Sequence, residues 1–184
     1  MIRINPGQSA LDINSQIILL QDKTRQNGDR FLQFNLNQEF NALLPLGELQ
    51  GVIDVKIEDI LPVPQVKEFW LGIFNWRGQA IWILDLANLI GANHWCKKSR
   101  IKDAGIVILV RVEDQIIGAI VEEVSTIAVL DPDLKLPLSE SMMMENWGDF
   151  FAGYFLDSEN KPLMLLDLEA IFSKSFKRSF LSKM

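Results

Sequence analysis

The 184-residue chain has one cysteine, one histidine and one tyrosine, and each scarcity excludes something. A lone Cys96 forms no internal disulfide, which fits a reducing, cytoplasmic location. His94 has only Cys96 near it. That is too few ligands for a metal site, and residues two apart make a poor nucleophile–base pair. Excess positive charge is missing too. A net charge of −6 and a pI near 4.8 leave no basic face for nucleic-acid phosphates. The basic residues Lys174, Lys177, Arg178 and Lys183 collect near the C-terminal end and read as a solvated tail. No apolar run approaches the ~20 residues of a membrane helix. The opening residues, with Asn5, Pro6, Gly7 and Gln8, lack the oily centre of a secretory signal. The glycine-rich phosphate loops and the G-x-S-x-G nucleophile elbow are absent. Glu122-Glu123 is a carboxylate pair, but strand neighbours point to opposite faces. No catalytic residue, metal ligand or cofactor site is expected, and so no enzyme.

What is present is a globular composition, 48% apolar and 23% charged. The length suits one ordinary domain or two small ones sharing a core. Residues 1–30 read as an N-terminal extension: Ile17 to Leu20 is apolar, Gln21 to Arg30 is polar and ends around Asn27-Gly28-Asp29. From Phe31 the pattern becomes short strands. Phe31, Phe34 and Leu36 lead into Asn37-Gln38 and return through Phe40 to Leu44, a hairpin. Ile106 to Val112, Glu113-Asp114 and Ile116 to Val121 make a second, whose rising strand is apolar at successive positions and should be buried on both faces.

These pieces form an internal repeat. Displaced by 75 residues, FNALLPLGELQGVI (40–53) falls on QIIGAIVEEVSTIA (115–128), with Leu49 on Val124 and Val52 on Ile127. Displaced by 82, IWILDLANLI (81–90) falls on LMLLDLEAIF (163–172), with Asp85 on Asp167. The offsets differ by seven, as an insertion within 131–149 requires. Two copies of about 60–70 residues each bury little core alone and are expected to pack together. Each aspartate closes an apolar strand and precedes a short segment with helical spacing. It is expected to cap that helix, worth about 0.5–2 kcal/mol; a catalytic carboxylate is the competing reading. Trp70, Trp76 and Trp82 recur every six residues, divided between core and interface roles.

Within FWLGIFNWRGQAIWILDLANLIG the ordered residues Phe69, Gly72, Asn75, Arg77, Gly78, Asp85 and Leu86 match the pattern F-v-x-G-v-x-N-x-R-G-x-v-x-P-v-x-D-L. With the repeat, this resembles the CheW-like family, the coupling proteins of bacterial chemosensory arrays. The resemblance covers Phe31 to Phe172, leaving 173–184 as a C-terminal tail. Trp82 stands where the family has proline, Val66-Lys67 replace a proline-rich approach, and Trp76 stands at a position often leucine. This tryptophan-rich form is similar to the proteins of cyanobacterial phototaxis and pilus-motility clusters.

The resemblance implies an all-β fold with short helices: two SH3-like five-stranded barrel subdomains with a hydrophobic groove between them and the chain crossing from one to the other. It implies no catalysis, no cofactor and no membrane insertion. The implied partners are the signalling tip of a methyl-accepting receptor and the regulatory domain of a CheA-type histidine kinase. Carried over by position, the partner-binding residues are Leu49, Val52, Gly118 and Val124, with Asn75 and Arg77 at the turn. Arg77 is expected either to meet a partner carboxylate or to bridge backbone carbonyls between the barrels. The second copy has Glu159 or Asn160 in that region, so the arginine is unshared. The competing function is a small-molecule-binding barrel that uses the apolar groove.

Overall fold

The strands settle into two sheets whose orders correspond under the repeat. A computed structural model of the chain describes residues 2–3, 13–15, 28–36, 41–91 and 104–180. His94, Trp95, Cys96 and the Asn37-Gln38 turn lie outside them. In chain order the strands are β1 (Ile2–Arg3), β2 (Asp29–Asn35), β3 (Asn41–Pro45), β4 (Leu49–Lys56), β5 (Trp70–Trp76) and β6 (Gln79–Asp85). A short helix, α1 (Leu86–Leu89), closes this copy. The second copy runs through β7 (Ala104–Val112), β8 (Gln115–Val121), β9 (Glu123–Leu130), α2 (Glu140–Met144), β10 (Phe151–Leu156), β11 (Pro162–Leu166) and α3 (Leu168–Phe180).

One sheet has the order β1-β9-β2-β3-β11-β10 and the other β4-β7-β8-β6-β5. Both expected hairpins form, β2–β3 and β7–β8, but each sits in the sheet built by the other copy's remaining strands. The two copies therefore exchange hairpins. Exchange makes neither copy complete alone, the arrangement expected where one 60–70-residue unit buries too little core by itself. Apart from β1, each sheet has five strands, and the two orders are the same under the repeat. The sheets stay open rather than closing into full barrels. Isolated bridges, Leu61↔Ile73 and Leu136↔Tyr154, continue each sheet past β5 and β10.

Irregularities are duplicated along with the strands. β4 is bulged between Leu49 and Gly51, and β9 at the counterpart place against Gln33 and Phe34. β5 is bulged between Trp70 and Gly72, and β10 between Phe151 and Gly153. Bulges re-aim a strand and are specific features of a fold. Gly72 (φ 144°) and Gly153 (φ 138°) follow these bulges, and a Cβ on either would come within 3.0 Å of the carbonyl oxygen of Leu61 or Leu136. Both glycines are there because the bridging segment crosses too closely for a side chain.

The faces of the two sheets meet in the main core. It draws Leu32, Phe34 and Leu166 from one sheet and Val52, Leu84 and Ile117 from the other, all at most 5% exposed. The rising strand β7 is buried on both faces from Val107 to Val110, as its apolar run predicts. The seam expected as a groove is thus filled by the chain's own side chains. A cavity of about 10 Å³ remains in it, lined by residues including Phe34, Leu84, Ile117 and Ile171. That is barely one water in size and offers no polar partner, so it stays dry.

Both capping expectations hold. Asp85 Oδ1 accepts from the Asn88 N–H at 3.0 Å, and Asp167 Oδ1 from the Ala170 N–H at 2.9 Å. The helices they start differ: α1 has 4 residues and α3 has 13. α3 runs straight through the expected tail boundary at 172–173. Ser175 is fully buried and Lys174 ion-pairs with Asp149, so these residues are structure rather than free tail. The physical reason is an aromatic anchor: Phe176 meets Trp70 edge-on at 5.1 Å, and Trp70 lies 5.2 Å from Trp82. Trp70 and Trp82 share this cluster, whereas Trp76 packs on a separate one with Ile81 and Val107. The bulge at Leu71 breaks the even alternation that a six-residue spacing would otherwise give.

Candidate partner-binding site

The β5–β6 hairpin turns on two residues, Arg77 and Gly78, between the paired Trp76 and Gln79. Both have positive φ, 52° and 84°. That is the two-residue turn whose twist matches the flanking strands. Glycine takes this conformation freely, whereas the arginine adopts it at a cost of roughly 1–2 kcal/mol for a residue with a Cβ. Asn75 helps to hold the turn, its Oδ1 accepting from the Gly78 N–H at 2.9 Å. Beneath the tip, the Arg77 guanidinium lies 5.1 Å from the centre of the Trp76 ring, a cation–π contact of about 0.5–1 kcal/mol at an exposed site. Trp76 is half-buried, and Asn75, Arg77 and Gly78 are exposed. Among the described residues no carboxylate pairs with Arg77, and no hydrogen bond ties it to the other sheet. The Arg77 side chain is exposed and its described contact is with Trp76.

The counterpart hairpin, β10–β11, ends in a loop over 157–161 that closes on itself. Asp157 Oδ1 accepts from the N–H groups of Glu159 and Lys161, both at 2.8 Å, and Lys161 ion-pairs with Glu159 at 2.7 Å. Its cation is paired within the loop, whereas among the described residues Arg77 has no carboxylate partner.

The other four carried-over positions lie elsewhere. Leu49, Val52 and Val124 are at 3%, 0% and 5% exposure in the main core. Gly118 is buried on β8, where a Cβ would stand 2.7 Å from Val107. Their side chains are not presented on an open groove, because the two sheets pack directly on each other. The turn residues Asn75 and Arg77 come together; the apolar four do not join them. Among the motif residues, Phe69 and Leu86 are buried, while Gly72, Gly78, Asp85 and Asp167 take the backbone and capping roles described above.

Sequence reasoning missed two features. The Trp76–Arg77 stack was signalled only by adjacency on a tight turn. Asn14, from the N-terminal extension, reaches the backbone of Val52, and nothing in its polar surroundings marked it. One electrostatic feature lies near the helix caps. Partial burial, and then the neighbouring carboxylates of Asp167 and Glu169, push the Glu48 carboxyl above its usual range.

Two sheets that exchange hairpins around a packed seam carry an exposed cationic tip on one hairpin. Residues 30–176 match the CheW-like domain family, and the chain belongs to it. The chain is 27% identical over 157 residues to a probable chemotaxis protein CheW of Rhizobium etli, covering 83% of this chain and 94% of that one. It is 25% identical over 151 residues to a chemotaxis protein CheW of Treponema pallidum, covering 80% and 85%. The fold matches the crystal structure of the scaffolding protein TtCheW from Thermoanaerobacter tengcongensis, with a TM-score of 0.65 and 23% identity over 78% of this chain and 87% of that one. Both curated relatives are named as chemotaxis proteins, and the structural neighbour as a scaffolding protein.

Proposed function

We propose that this protein couples a methyl-accepting receptor to a CheA-type histidine kinase, as a cytoplasmic adaptor of the phototaxis or pilus-motility kind. The receptor's signalling tip and the kinase's regulatory domain are its partners. Support comes from family membership and from relatives named as chemotaxis proteins. Among the described residues no helix is long and apolar enough to cross a membrane. The observation that carries the site is the exposed Arg77 tip, braced on Trp76 and locked by Asn75, in the one copy of the repeat that has it. A preorganised guanidinium next to an aromatic ring loses little freedom on binding and suits a partner carboxylate. The small-molecule reading has less support, since the cavity among the described residues of the seam is about 10 Å³.

Titration calorimetry against a CheA-type regulatory domain and a receptor hairpin fragment tests this. Arg77→Ala should weaken one association about tenfold or more, with an unchanged circular dichroism spectrum. Undiminished affinity for both would remove the site.

A further inference from the structure

The CheW-like segment begins at residue 30, yet the seam between the sheets also takes in a residue from before it. Ile13 is 3% exposed and belongs to the core cluster that holds Leu49, Val52 and Val124. Beside it, Asn14 Oδ1 accepts from the Val52 N–H at 2.9 Å, and Asn14 Nδ2 donates to the Val52 carbonyl at 2.7 Å. A carboxamide carries the donor and acceptor of a peptide group, so Asn14 meets β4 as another backbone would. The residues 13–15 are helical, with Ile13 buried, Asn14 half-buried and Ser15 exposed. The second copy is met at the matching place. The main chain of Ile2 and Arg3 pairs with Ile127 and Thr126 on β9, and Ile127 is the counterpart of Val52 under the 75-residue displacement. The N-terminal residues thus reach the strands that carry Leu49, Val52 and Val124, apolar positions that the resemblance gives to a partner.

We propose that residues 13–15 are an intramolecular stand-in for a partner helix, which an amphipathic helix of the receptor's signalling tip displaces. The proposal rests on the adaptor reading and adds a regulation to it. The occupant has the make-up of a helix docked in a groove: helical backbone, an aliphatic anchor toward the core, and a polar side chain at the rim. It is supplied by the chain from outside the family segment, so it is an addition to the common frame. Being tethered, it competes at a high effective concentration. A partner that needs the same place therefore binds with an apparent affinity reduced by the fraction of molecules in which the segment is away. The Arg77 tip belongs to β5 and β6, at the other end of the sheet that β4 begins, so the two places serve different contacts.

The test uses the full chain and a receptor hairpin fragment. In titration calorimetry Asn14→Ala, with native circular dichroism, should bind the fragment about fivefold or more tighter than the unaltered chain, because the competing segment has lost both bonds to Val52. In the unaltered chain, saturation with the fragment should move the Asn14 side-chain NH2 resonances to those of a solvated carboxamide. Equal or weaker binding by Asn14→Ala would overturn the inference and leave the adaptor reading standing. So would Asn14 resonances that stay in place at saturation. A fragment that binds neither chain would remove the adaptor reading, and this inference with it.

Discussion

The β5–β6 hairpin turns at Arg77-Gly78, and its counterpart β10–β11 needs residues 157–161 to make the same reversal. The strands below are alike: a bulge, then a glycine that a bridging segment crosses, then an aspartate that caps a helix. The tips are unlike. One holds a guanidinium outward over an indole, and the other ties its lysine and glutamate to each other. The copies agree wherever the fold demands a particular backbone, and they part at the exposed hairpin tips. Helix length is a second divergence. α1 stops after one turn, whereas α3 extends to place Phe176 against Trp70, so the second copy's helix helps bury the first copy's β5.

If the shared features hold the fold, breaking them in either copy should cost stability in parallel. Gly72→Ala and Gly153→Ala should each destabilise by about 2–4 kcal/mol in urea unfolding, with Gly72 the worse because its clash with the Leu61 carbonyl is closer. A difference in which only one copy suffers would break the equivalence. Removing the caps is expected to cost less. Asp85→Ala and Asp167→Ala should each lose about 0.5–2 kcal/mol, the fully buried Asp85 more, and Asp→Asn should recover most of it.

The smallest effect concerns Glu48, whose carboxyl is raised by partial burial and by Asp167 and Glu169. A raised carboxyl means that the fold favours its protonated form. The contribution to stability is fully present below the unfolded value and is lost as pH rises through the folded one. Glu48→Gln should therefore raise the melting temperature slightly at pH 7, on the order of 1 °C for so exposed a group. The gain should vanish below pH 4.5, the ordinary value. A gain that persists at low pH would contradict the electrostatic cause.

Much of this was legible in the chain. IWILDLANLI and LMLLDLEAIF share an apolar strand followed by a helical spacing, so the repeat and both caps were readable from local pattern. The exchange of hairpins was not. β2 and β7 have the apolar content and burial of any strand, and their choice of sheet depends on tertiary packing that a linear pattern does not encode. The tail boundary at 172 failed for a similar reason: Lys174, Lys177 and Arg178 announce a solvated end, while Phe176 between them finds Trp70 some hundred residues earlier. The groove residues illustrate a third limit. Leu49, Val52 and Val124 are apolar enough for an interface or a core, and composition does not separate the two; the packed seam does. Arg77 was visible as an unshared residue in a duplicated frame, although its own positive φ and its stack on Trp76 were not.

The central claim is that the unshared tip, not the shared frame, meets the partner. Binding of a CheA-type regulatory domain and of a receptor hairpin should be measured side by side for Arg77→Ala and for Lys161→Ala, the cation of the counterpart loop. The expected result is a loss of about tenfold or more for Arg77→Ala with one partner, no more than about twofold for Lys161→Ala with either, and native melting in both. Equal losses from the two variants, or none from Arg77→Ala, would contradict it.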